Sequence, residues 1–193
     1  MDQDFDRLTT DRLVIRRFAP SDADALTAYR SDPEIARYQS WTPPYPRERA
    51  VGFIEWLGEH HPDEPGEWYQ LAVATRERPD ELIGDLAFSP DADDPATARI
   101  GFTLRREAHG HGYATEAVRA LLTYLFDARG KRRVTADCDP RNTRSSALLE
   151  RVGFRREGEL VEAYLEEDGT RSNSLLYGLL AREWRVPRGP EDS

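Results

Sequence analysis

Apolar residues change their spacing at residue 113, in the second half of the chain. Beyond this point they recur at intervals of three and four residues, which is typical of one buried helix face, at Ala114, Ala117, Val118, Leu121, Leu122 and Leu125. Before it, three apolar segments separated by turn-forming clusters predict strands over residues 68–75, 82–88 and 98–104. The chain therefore joins an antiparallel meander to a long helix that ends near residue 130.

Further elements are predicted on both sides of this unit. Those ahead of the meander are a strand over residues 12–18 and helices that begin near Asp22, at the Asp32–Pro33 pair and at Arg47. Those after the long helix are a strand over residues 133–138, a helix over 143–151 that stops at Gly153, and two strands around a turn at 167–169.

The order of these elements predicts an α/β fold. We expect one mixed, mostly antiparallel, seven-stranded sheet with helices on both faces. A helix separates the fourth strand (98–104) from the fifth (133–138), so these two strands are predicted to be parallel. Residues 8–185 are predicted to form one domain and residues 186–193 a disordered tail without core residues.

Charge, hydropathy and cysteine content exclude several classes of protein. The formal net charge is −9, whereas a nucleic-acid surface needs clustered cations, so no nucleic acid is predicted as a partner. No run approaches the roughly 18 apolar residues of a membrane span, and the acidic residues 1–6 lack the features of a secretory signal, so we expect a cytoplasmic protein without a membrane role. Cys138 is the single cysteine and no histidine spacing fits zinc, so no metal is predicted.

A glycine-containing loop precedes the long helix, with the sequence HGHGYA at residues 109–114. Glycines let backbone N–H groups converge on one point, and the positive end of the helix dipole lies behind them, which favours a bound pyrophosphate. The loop matches neither a P-loop nor a dinucleotide-binding motif, because the lysine of the first is missing and Thr115 stands at the last glycine of the second. A purely conformational glycine turn is the alternative interpretation.

The chain resembles the GNAT superfamily of N-acetyltransferases, and most closely the RimJ/RimL-like (ribosomal-protein alanine N-acetyltransferase) branch. Four ordered segments over about residues 8–184 carry this resemblance: IGFTL at 100–104, HGHGYATEA at 109–117, DPRNTRS at 139–145 and VGF at 152–154. It implies a GNAT fold with a splay between the fourth and fifth strands, acetyl-CoA as cosubstrate and a primary amine as acceptor.

The resemblance also implies which residues hold acetyl-CoA. The acyl-CoA loop of the family falls on His109, Gly110, His111, Gly112, Tyr113, Ala114 and Thr115, with His109 replacing the usual Gln or Arg. Backbone groups of the splayed strand would bind pantetheine and the acetyl carbonyl, at Phe102, Thr103 and Leu104. Asn142 matches a residue that contacts CoA, and Ser145 matches the serine beside the thioester sulfur.

Acetyl transfer to an amine needs a neutral amine, a stabilised oxyanion and a proton for the departing thiolate. Ser145 is the candidate proton donor. A carboxylate should take the proton of the amine or favour its neutral form; the candidates are Asp85, Asp137 and Glu162, although each also fits a solvated strand position. Tyr164 occupies the place where the ribosomal branch can carry a carboxylate, and this departure leaves the catalytic base undecided.

The short helix that begins at the Asp32–Pro33 pair is predicted to carry Tyr38. An aromatic, proline-rich stretch over residues 38–45 starts at the end of this helix. Tyr38 and Trp41 are candidate walls of the acceptor pocket, where aromatic faces attract an ammonium group, and capping of the core is the equal alternative. The acceptor stays open between a protein N-terminus and a small amine. A non-catalytic acyl-CoA-binding regulatory module, a larger acyl donor and a homodimer also remain open.

Overall fold

The computed structural model describes residue 5, residues 7–166 and residues 169–184. Its strands are β1 (Arg7–Thr9), β2 (Leu13–Arg16), β3 (Tyr69–Thr75), β4 (Leu82–Pro90), β5 (Thr97–Leu104), β6 (Arg133–Cys138), β7 (Arg155–Leu165) and β8 (Arg171–Leu180). They form one sheet in the order β1-β2-β3-β4-β5-β6-β8-β7. Two parts of the sequence-based prediction, the turn residues 167–168 and the tail 186–193, lie outside the described residues.

The helices follow the apolar periodicity. They are α1 (Ala23–Arg30), α2 (Pro33–Ala36), α3 (Arg47–Glu59), α4 (Tyr113–Thr123), which continues into a π-helical turn over Tyr124–Ala128, α5 (Thr143–Val152) and α6 (Ala181–Trp184). The Asp32 carboxylate accepts the Glu34 N–H at 2.9 Å and caps α2 as predicted. However, α2 ends at Ala36, so Tyr38 lies in the loop beyond it and not in the helix.

The sheet confirms the predicted α/β architecture with one difference. It contains eight strands among the described residues, because the three residues of β1 pair antiparallel with β2. A three-residue strand has too few positions to show alternation, which is why the sequence pattern predicted only seven. Every neighbouring pair is antiparallel except β5 and β6, as predicted.

The parallel β5–β6 pair determines where a site can form. Its ladder covers only three residue pairs, Thr97↔Arg133, Ala98↔Val134 and Arg99↔Thr135. Residues 100–104 of β5 continue along β4, and no described strand pairs with them on their other side. The predicted splay is therefore present and opens toward the end of β5 that leads into the glycine loop.

Helices cover both faces of the sheet. On one face α4 and α5 bury the larger core, which includes Leu121, Leu122 and Leu149 of the helices and Leu71 and Phe88 of the strands. On the other face α1 and α3 bury a smaller core around Leu26, Tyr45 and Ile54. Among the described residues no helix is both long and apolar enough to cross a bilayer.

Candidate active site

The splay exposes backbone hydrogen-bonding groups in the middle of the sheet. Successive residues of a strand direct their N–H and C=O groups alternately to the two sides. The Leu104 carbonyl oxygen lies 2.8 Å from His109 Nε2, away from β4. The Ala98 carbonyl accepts the Thr135 hydroxyl of β6 at 3.5 Å. Even-numbered residues of β5 therefore turn their backbone groups toward β6 and the splay.

Odd-numbered residues of β5 face the other way. Just beyond the strand, the Arg105 N–H donates to the Ile83 carbonyl of β4 at 2.9 Å. By this alternation Phe102 and Leu104 present their backbone groups to the splay, whereas Thr103 presents its own to β4. The Thr103 side chain is buried opposite Asp85, so the three residues that the resemblance groups together divide between two roles.

The glycine loop leaves the start of α4 open. Gly110 and Gly112 have φ values of 79° and 77°, in the left-handed region that favours glycine. Gly112 is the N-cap of α4, and no side chain caps the helix there. The first N–H groups of α4 thus lack a capping acceptor at the positive end of the helix dipole, which is an arrangement able to hold an anion.

The side chains of the loop brace it internally. His109 contacts the Leu104 carbonyl, as described above, and His111 Nδ1 lies 2.7 Å from the His109 carbonyl oxygen. The His111 ring stacks on Tyr113 with a centroid distance of 5.6 Å. Farther into α4, the Thr115 hydroxyl accepts a hydrogen bond from Arg151 of α5 at 3.5 Å. The histidines thus support the loop conformation, and Ala114 follows within the first helical turn.

Two residues that the sequence analysis did not single out hold the loop from outside. Arg12 Nη1 donates to the His111 carbonyl at 2.9 Å, and its guanidinium carbon lies 4.9 Å from the centroid of the Tyr113 ring. Arg12 Nε donates to Glu116 Oε2 at 2.7 Å, while the Thr10 hydroxyl and the Arg12 N–H donate to Oε1. Only the place of Glu116 in the first turn of a predicted helix, where acids are favoured, was visible in the sequence.

Glu116→Gln is expected to lower the free energy of unfolding at pH 7 by about 1–2 kcal/mol, because charged hydrogen bonds are lost. Burial raises the pKa of Glu116, but hydrogen bonds from Thr10 and Arg12 outweigh it, so its pKa lies below the ordinary value. A depressed pKa adds stability above the unfolded pKa of about 4.3, and this stability is lost as the pH falls through the folded pKa.

Urea denaturation of the wild type and the variant at pH 7 and between about pH 5 and 3 measures this effect. The difference between the two proteins should close as the pH falls. Glu55→Gln, on the exposed surface of α3, is the matched control and should leave stability nearly unchanged. A difference independent of pH would contradict a role for the Glu116 charge.

The first turn of α5 borders the splay with two adjacent serines. The Asn142 side-chain oxygen caps the helix by accepting the Ser145 N–H at 3.2 Å. Ser146 donates to the Asn142 carbonyl at 3.3 Å and lies 3.4 Å from the Cys138 sulfur. Within the described part of the chain, the Ser145 hydroxyl has no hydrogen-bond partner. Of the two, Ser145 is therefore the serine whose proton is available to a ligand.

Cys138 closes β6 between the splay and α5. Burial raises the pKa of its thiol, and the hydrogen bond with Ser146 only partly offsets this effect. A thiol with a raised pKa is protonated at neutral pH and is a weak nucleophile. Its environment thus favours a reaction that does not pass through an acetylated cysteine.

A polar cluster joins β5, β6, β7 and β8 on the face that carries α1 and α3. The Tyr164 hydroxyl donates to Asp137 Oδ2 at 3.0 Å and accepts from Arg99 Nη2 at 3.3 Å. Arg99 also forms an ion pair with Asp137, and the Ser174 hydroxyl lies 3.5 Å from the same carboxylate. The structure thus brings together two of the predicted site residues, Asp137 and Tyr164, and adds Arg99 to them.

Glu162 does not join this cluster. It sits in a bulge of β7 with a φ of 52°, and its N–H donates to the Asn173 side chain at 2.9 Å. The carboxylate is exposed and has no hydrogen bond or ion pair with the described residues. The described contacts of Glu162 therefore give no support for a catalytic role.

Asp85 lies on the same face of the sheet but is committed to the protein interior. It is 3% exposed, accepts the Tyr29 hydroxyl in a short hydrogen bond, and lies 3.6 Å from Arg30 Nη2. Tyr29 and Arg30 belong to α1, so Asp85 anchors this helix to β4. These contacts give Asp85 a structural role, which is to hold α1 against this face of the sheet.

The two aromatic candidates, Tyr38 and Trp41, each have arginine side chains of the protein beside the ring. The guanidinium carbons of Arg37 and Arg141 lie 5.3 and 5.9 Å from the centroid of the Tyr38 ring. Trp41 lies under Arg30 at 4.5 Å, and its indole N–H donates to the Arg30 carbonyl at 3.0 Å. Neither ring is open to an ammonium group on the side that its arginine covers.

Comparison with known proteins gives consistent matches over almost the whole chain. The family model described as the acetyltransferase (GNAT) domain matches residues 12–155. Among curated proteins, the uncharacterized N-acetyltransferase p20 of Bacillus licheniformis is 33% identical over 177 residues, which cover 92% of this chain and 97% of p20. The [ribosomal protein uS5]-alanine N-acetyltransferase of Escherichia coli (strain K12) is 30% identical over 190 residues, or 94% of each chain.

Solved structures agree with this. The crystal structure of an acetyltransferase (GNAT family) from Bacillus anthracis superimposes with a TM-score of 0.80 and 25% identity, covering 92% of this chain and 99% of the other. The match therefore spans nearly the full length of both proteins.

Proposed function

The chain belongs to the GNAT family of N-acetyltransferases, and we propose that it moves an acetyl group from acetyl-CoA to a primary amine by direct attack in a ternary complex. One observation carries the proposal: the backbone groups of β5 that no described strand pairs with and the uncapped start of α4 lie at the two ends of one short loop, residues 105–112. Acetyl-CoA needs such a combination, because it has a diphosphate at one end and a thioester at the other.

Acetyl-CoA binding is assigned to the loop and the splay. The N–H groups of Gly110, Gly112 and Ala114 would hold the diphosphate, aided by the α4 dipole. Pantetheine would run along β5 and pair with the backbone of Phe102 and Leu104, as an added strand does at a sheet edge. Arg12 and Glu116 would keep the loop in its binding conformation, through the contacts to His111 and Tyr113.

The reaction forms one bond and breaks one. The nitrogen of the neutral amine attacks the thioester carbonyl carbon, and negative charge develops on the carbonyl oxygen. A β5 N–H in the splay, at Phe102 or Leu104, would stabilise that charge, since such fixed donors are typically worth about 10²–10³ in rate. The C–S bond then breaks, the CoA thiolate takes a proton from the Ser145 hydroxyl, which regains one from solvent, and the nitrogen loses its extra proton to a base.

Asp137 is the proposed base, acting through Tyr164 or through water. An alkylamine with a pKa of about 10 is mostly protonated at neutral pH, so a nearby carboxylate is needed to remove its proton. The Tyr164 hydroxyl donates to Asp137, and the residue as a whole is about half-exposed, which would let it contact an acceptor on this face. This role falls to Asp137 because Asp85 is buried against Tyr29 and Arg30.

For the acceptor we propose an α-amine. The similarity to the uS5-alanine N-acetyltransferase supports this choice, since that enzyme is named for the N-acetylation of an alanine. The test is an acceptor screen with purified protein that detects free CoA thiol, with peptides, amino acids, polyamines and aminoglycosides as acceptors. Acetyl-CoA binding without thiol release would favour a regulatory module, and faster turnover of propionyl- or succinyl-CoA would favour a larger acyl donor.

Ser145→Ala is expected to lower kcat by about tenfold to a hundredfold. The effect is partial because a thiolate, whose conjugate acid has a pKa of about 8.5, can leave without full protonation. KM for acetyl-CoA should change little. Steady-state kinetics measured through thiol release gives both constants.

The adjacent serine supplies the control for this prediction. Ser146→Ala removes a hydroxyl from the same helical turn, but that hydroxyl already contacts Asn142 and Cys138. Its kcat should stay within about threefold of the wild type. Equal losses in the two variants would argue against Ser145 as the specific proton donor.

A further inference from the structure

A cleft of about 500 Å³ opens between α1, α3 and the face of the sheet opposite α4 and α5. The residues lining it that carry the argument are Arg30, Trp41, Tyr45, Arg49, Phe53 and Gln70. The proposed acetyl-CoA site does not use this cleft, and of the two predicted walls of the acceptor pocket only Trp41 lines it. Its lining combines aromatic rings with two cations.

Arg30 is the central group of the cleft. Only 5% of this residue is exposed, and its guanidinium carbon lies 4.5 Å from the Trp41 ring centroid, 4.7 Å from Phe53 and 5.2 Å from Tyr45. Three aromatic faces thus surround a cation that belongs to the protein. A guanidinium remains charged at all relevant pH values, so these rings cannot also receive the ammonium group of an acceptor.

The cleft contains buried polar atoms that the protein does not satisfy. Arg30 uses Nη1 for the Tyr45 hydroxyl at 3.3 Å and Nη2 for Asp85 at 3.6 Å, but its Nε has no hydrogen-bond partner. The amide oxygen of Gln70 is also buried without one. Native proteins leave few buried polar atoms unpaired because each costs about 1–3 kcal/mol. Arg30 and Gln70 both line the cleft, so a polar ligand toward which these side chains can turn is favoured over an apolar one.

The charges of the cleft select the sign of that ligand. Among the described residues that line it, two are arginines and none is a carboxylate, although the whole chain has a net charge of −9. Asp85 lies behind Arg30 and balances only one of the two cations. Arg49 is exposed on α3, with its guanidinium carbon 4.9 Å from the Tyr45 ring centroid, and no described carboxylate pairs with it. An anion is therefore favoured and an ammonium group is disfavoured.

The cleft borders the proposed reaction site through the strand register. Gln70 of β3 lies opposite Ala87 of β4, which lies opposite Gly101 of β5. Thr103, two residues along β5, lies opposite Asp85, the partner of Arg30. Gly101 has no side chain of its own, and the side chains nearest to it are those of Ala87 and Trp68. A ligand in the cleft would consequently lie beside the segment that we assign to the acetyl group.

We propose that this cleft binds a carboxylate of the acceptor, so that the substrates are amines that also carry a carboxylate, such as amino acids. This inference rests on the proposed acetyl transfer and narrows its acceptor class. Arg30 and Arg49 bind the carboxylate, Gln70 hydrogen-bonds a polar atom beside it, and the amine points toward the splay. Polyamines and aminoglycosides, which are cations throughout, are poor ligands.

Isothermal titration calorimetry with reaction products tests the inference separately from catalysis. The ligands are N-acetyl derivatives of a set of amino acids, each compared with its own carboxamide. We expect at least one carboxylate to bind about tenfold tighter than its carboxamide. No preference for the carboxylate in any pair overturns the inference. Preference for the carboxylate without thiol release in the acceptor screen would instead contradict the proposed transfer alone.

Substitution of Arg49 and Arg47 connects this preference to the cleft. Arg30→Met would leave the buried Asp85 carboxylate without its cation, so the exposed Arg49 is the better target. Arg49→Gln should abolish most of the carboxylate preference. Arg47→Gln removes an exposed arginine from the same helical turn, one that contacts Asp24 outside the cleft, and should keep the preference. Equal loss in both variants would show a general charge effect and overturn the inference.

Discussion

Gly112→Asp is expected to weaken acetyl-CoA binding by about a hundredfold or more. The aspartate would place a carboxylate at the N-cap of α4, where the proposed diphosphate binds, and would occupy the N–H groups that now have no capping side chain. Two like charges about 4 Å apart repel by about 1–4 kcal/mol in this setting, and each 1.4 kcal/mol is a factor of ten in affinity. Calorimetric titration with acetyl-CoA measures the loss.

Two further variants separate charge from backbone strain. Gly130→Asp introduces the same residue at another exposed left-handed glycine, with φ of 64°, outside the loop, and should leave affinity unchanged. Gly112→Ala carries strain of about 1 kcal/mol but no charge, so it should bind acetyl-CoA far better than Gly112→Asp. Its Cβ would lie 3.4 Å from Arg12 Nη2, which an exposed side chain can accommodate. If Gly112→Asp bound acetyl-CoA with unchanged affinity, the proposed binding of the diphosphate at the start of α4 would be wrong.

The elements that the sequence predicted well are those encoded by local periodicity. The meander, the long helix after the glycine loop and the Asp32 cap each depend on residues within about ten positions of one another. The splay was an implication of the family resemblance. The β1 strand was missed because its evidence is a pairing with β2 and not a pattern within its own three residues.

The side-chain contacts of the site could not be predicted in the same way. Arg12 and Glu116 are 104 residues apart, and nothing in either local sequence indicates that the β1–β2 turn packs against the start of α4. Asp85 and Asp137 are both acidic residues in strands on the same face. They differ because α1 delivers Tyr29 and Arg30 to the first, whereas the second meets Tyr164 and Arg99 in a half-open cluster. Such neighbours depend on the packing of whole elements.

The cleft that contains Arg30 shows how one contact reverses an interpretation. The aromatic stretch around Trp41 and Tyr45 suggested a site for an ammonium group. In the structure Arg30, from a different helix, already fills that position. The same rings therefore surround a cation of the protein itself. The acceptor group expected beside them changes from an amine to a carboxylate.

Phe102→Pro is expected to lower kcat/KM by about a hundredfold or more while the protein stays folded. Proline removes one backbone N–H, and by the alternation along β5 this N–H points into the splay and not to β4. The ladder with β4 should tolerate it, as edge strands tolerate proline on their free side. The proposed oxyanion and pantetheine contacts would lose a donor, and one such donor typically contributes about 10²–10³ to kcat. Initial rates of thiol release at varied acetyl-CoA give the value.

Phe102 also packs on the core beneath α4. Two controls are therefore needed, one for the loss of the phenyl ring and one for the position of the proline. Phe102→Leu keeps the N–H and removes the ring, so it should retain most of the activity. Thr103→Pro places a proline at the next residue of β5, where the N–H faces β4. The loss of this ladder hydrogen bond should lower the melting temperature clearly. If Phe102→Pro unfolded and Thr103→Pro did not, the alternation would be reversed and Thr103 would face the splay. If both variants folded and turned over normally, the oxyanion would have to be stabilised by a donor outside this part of β5.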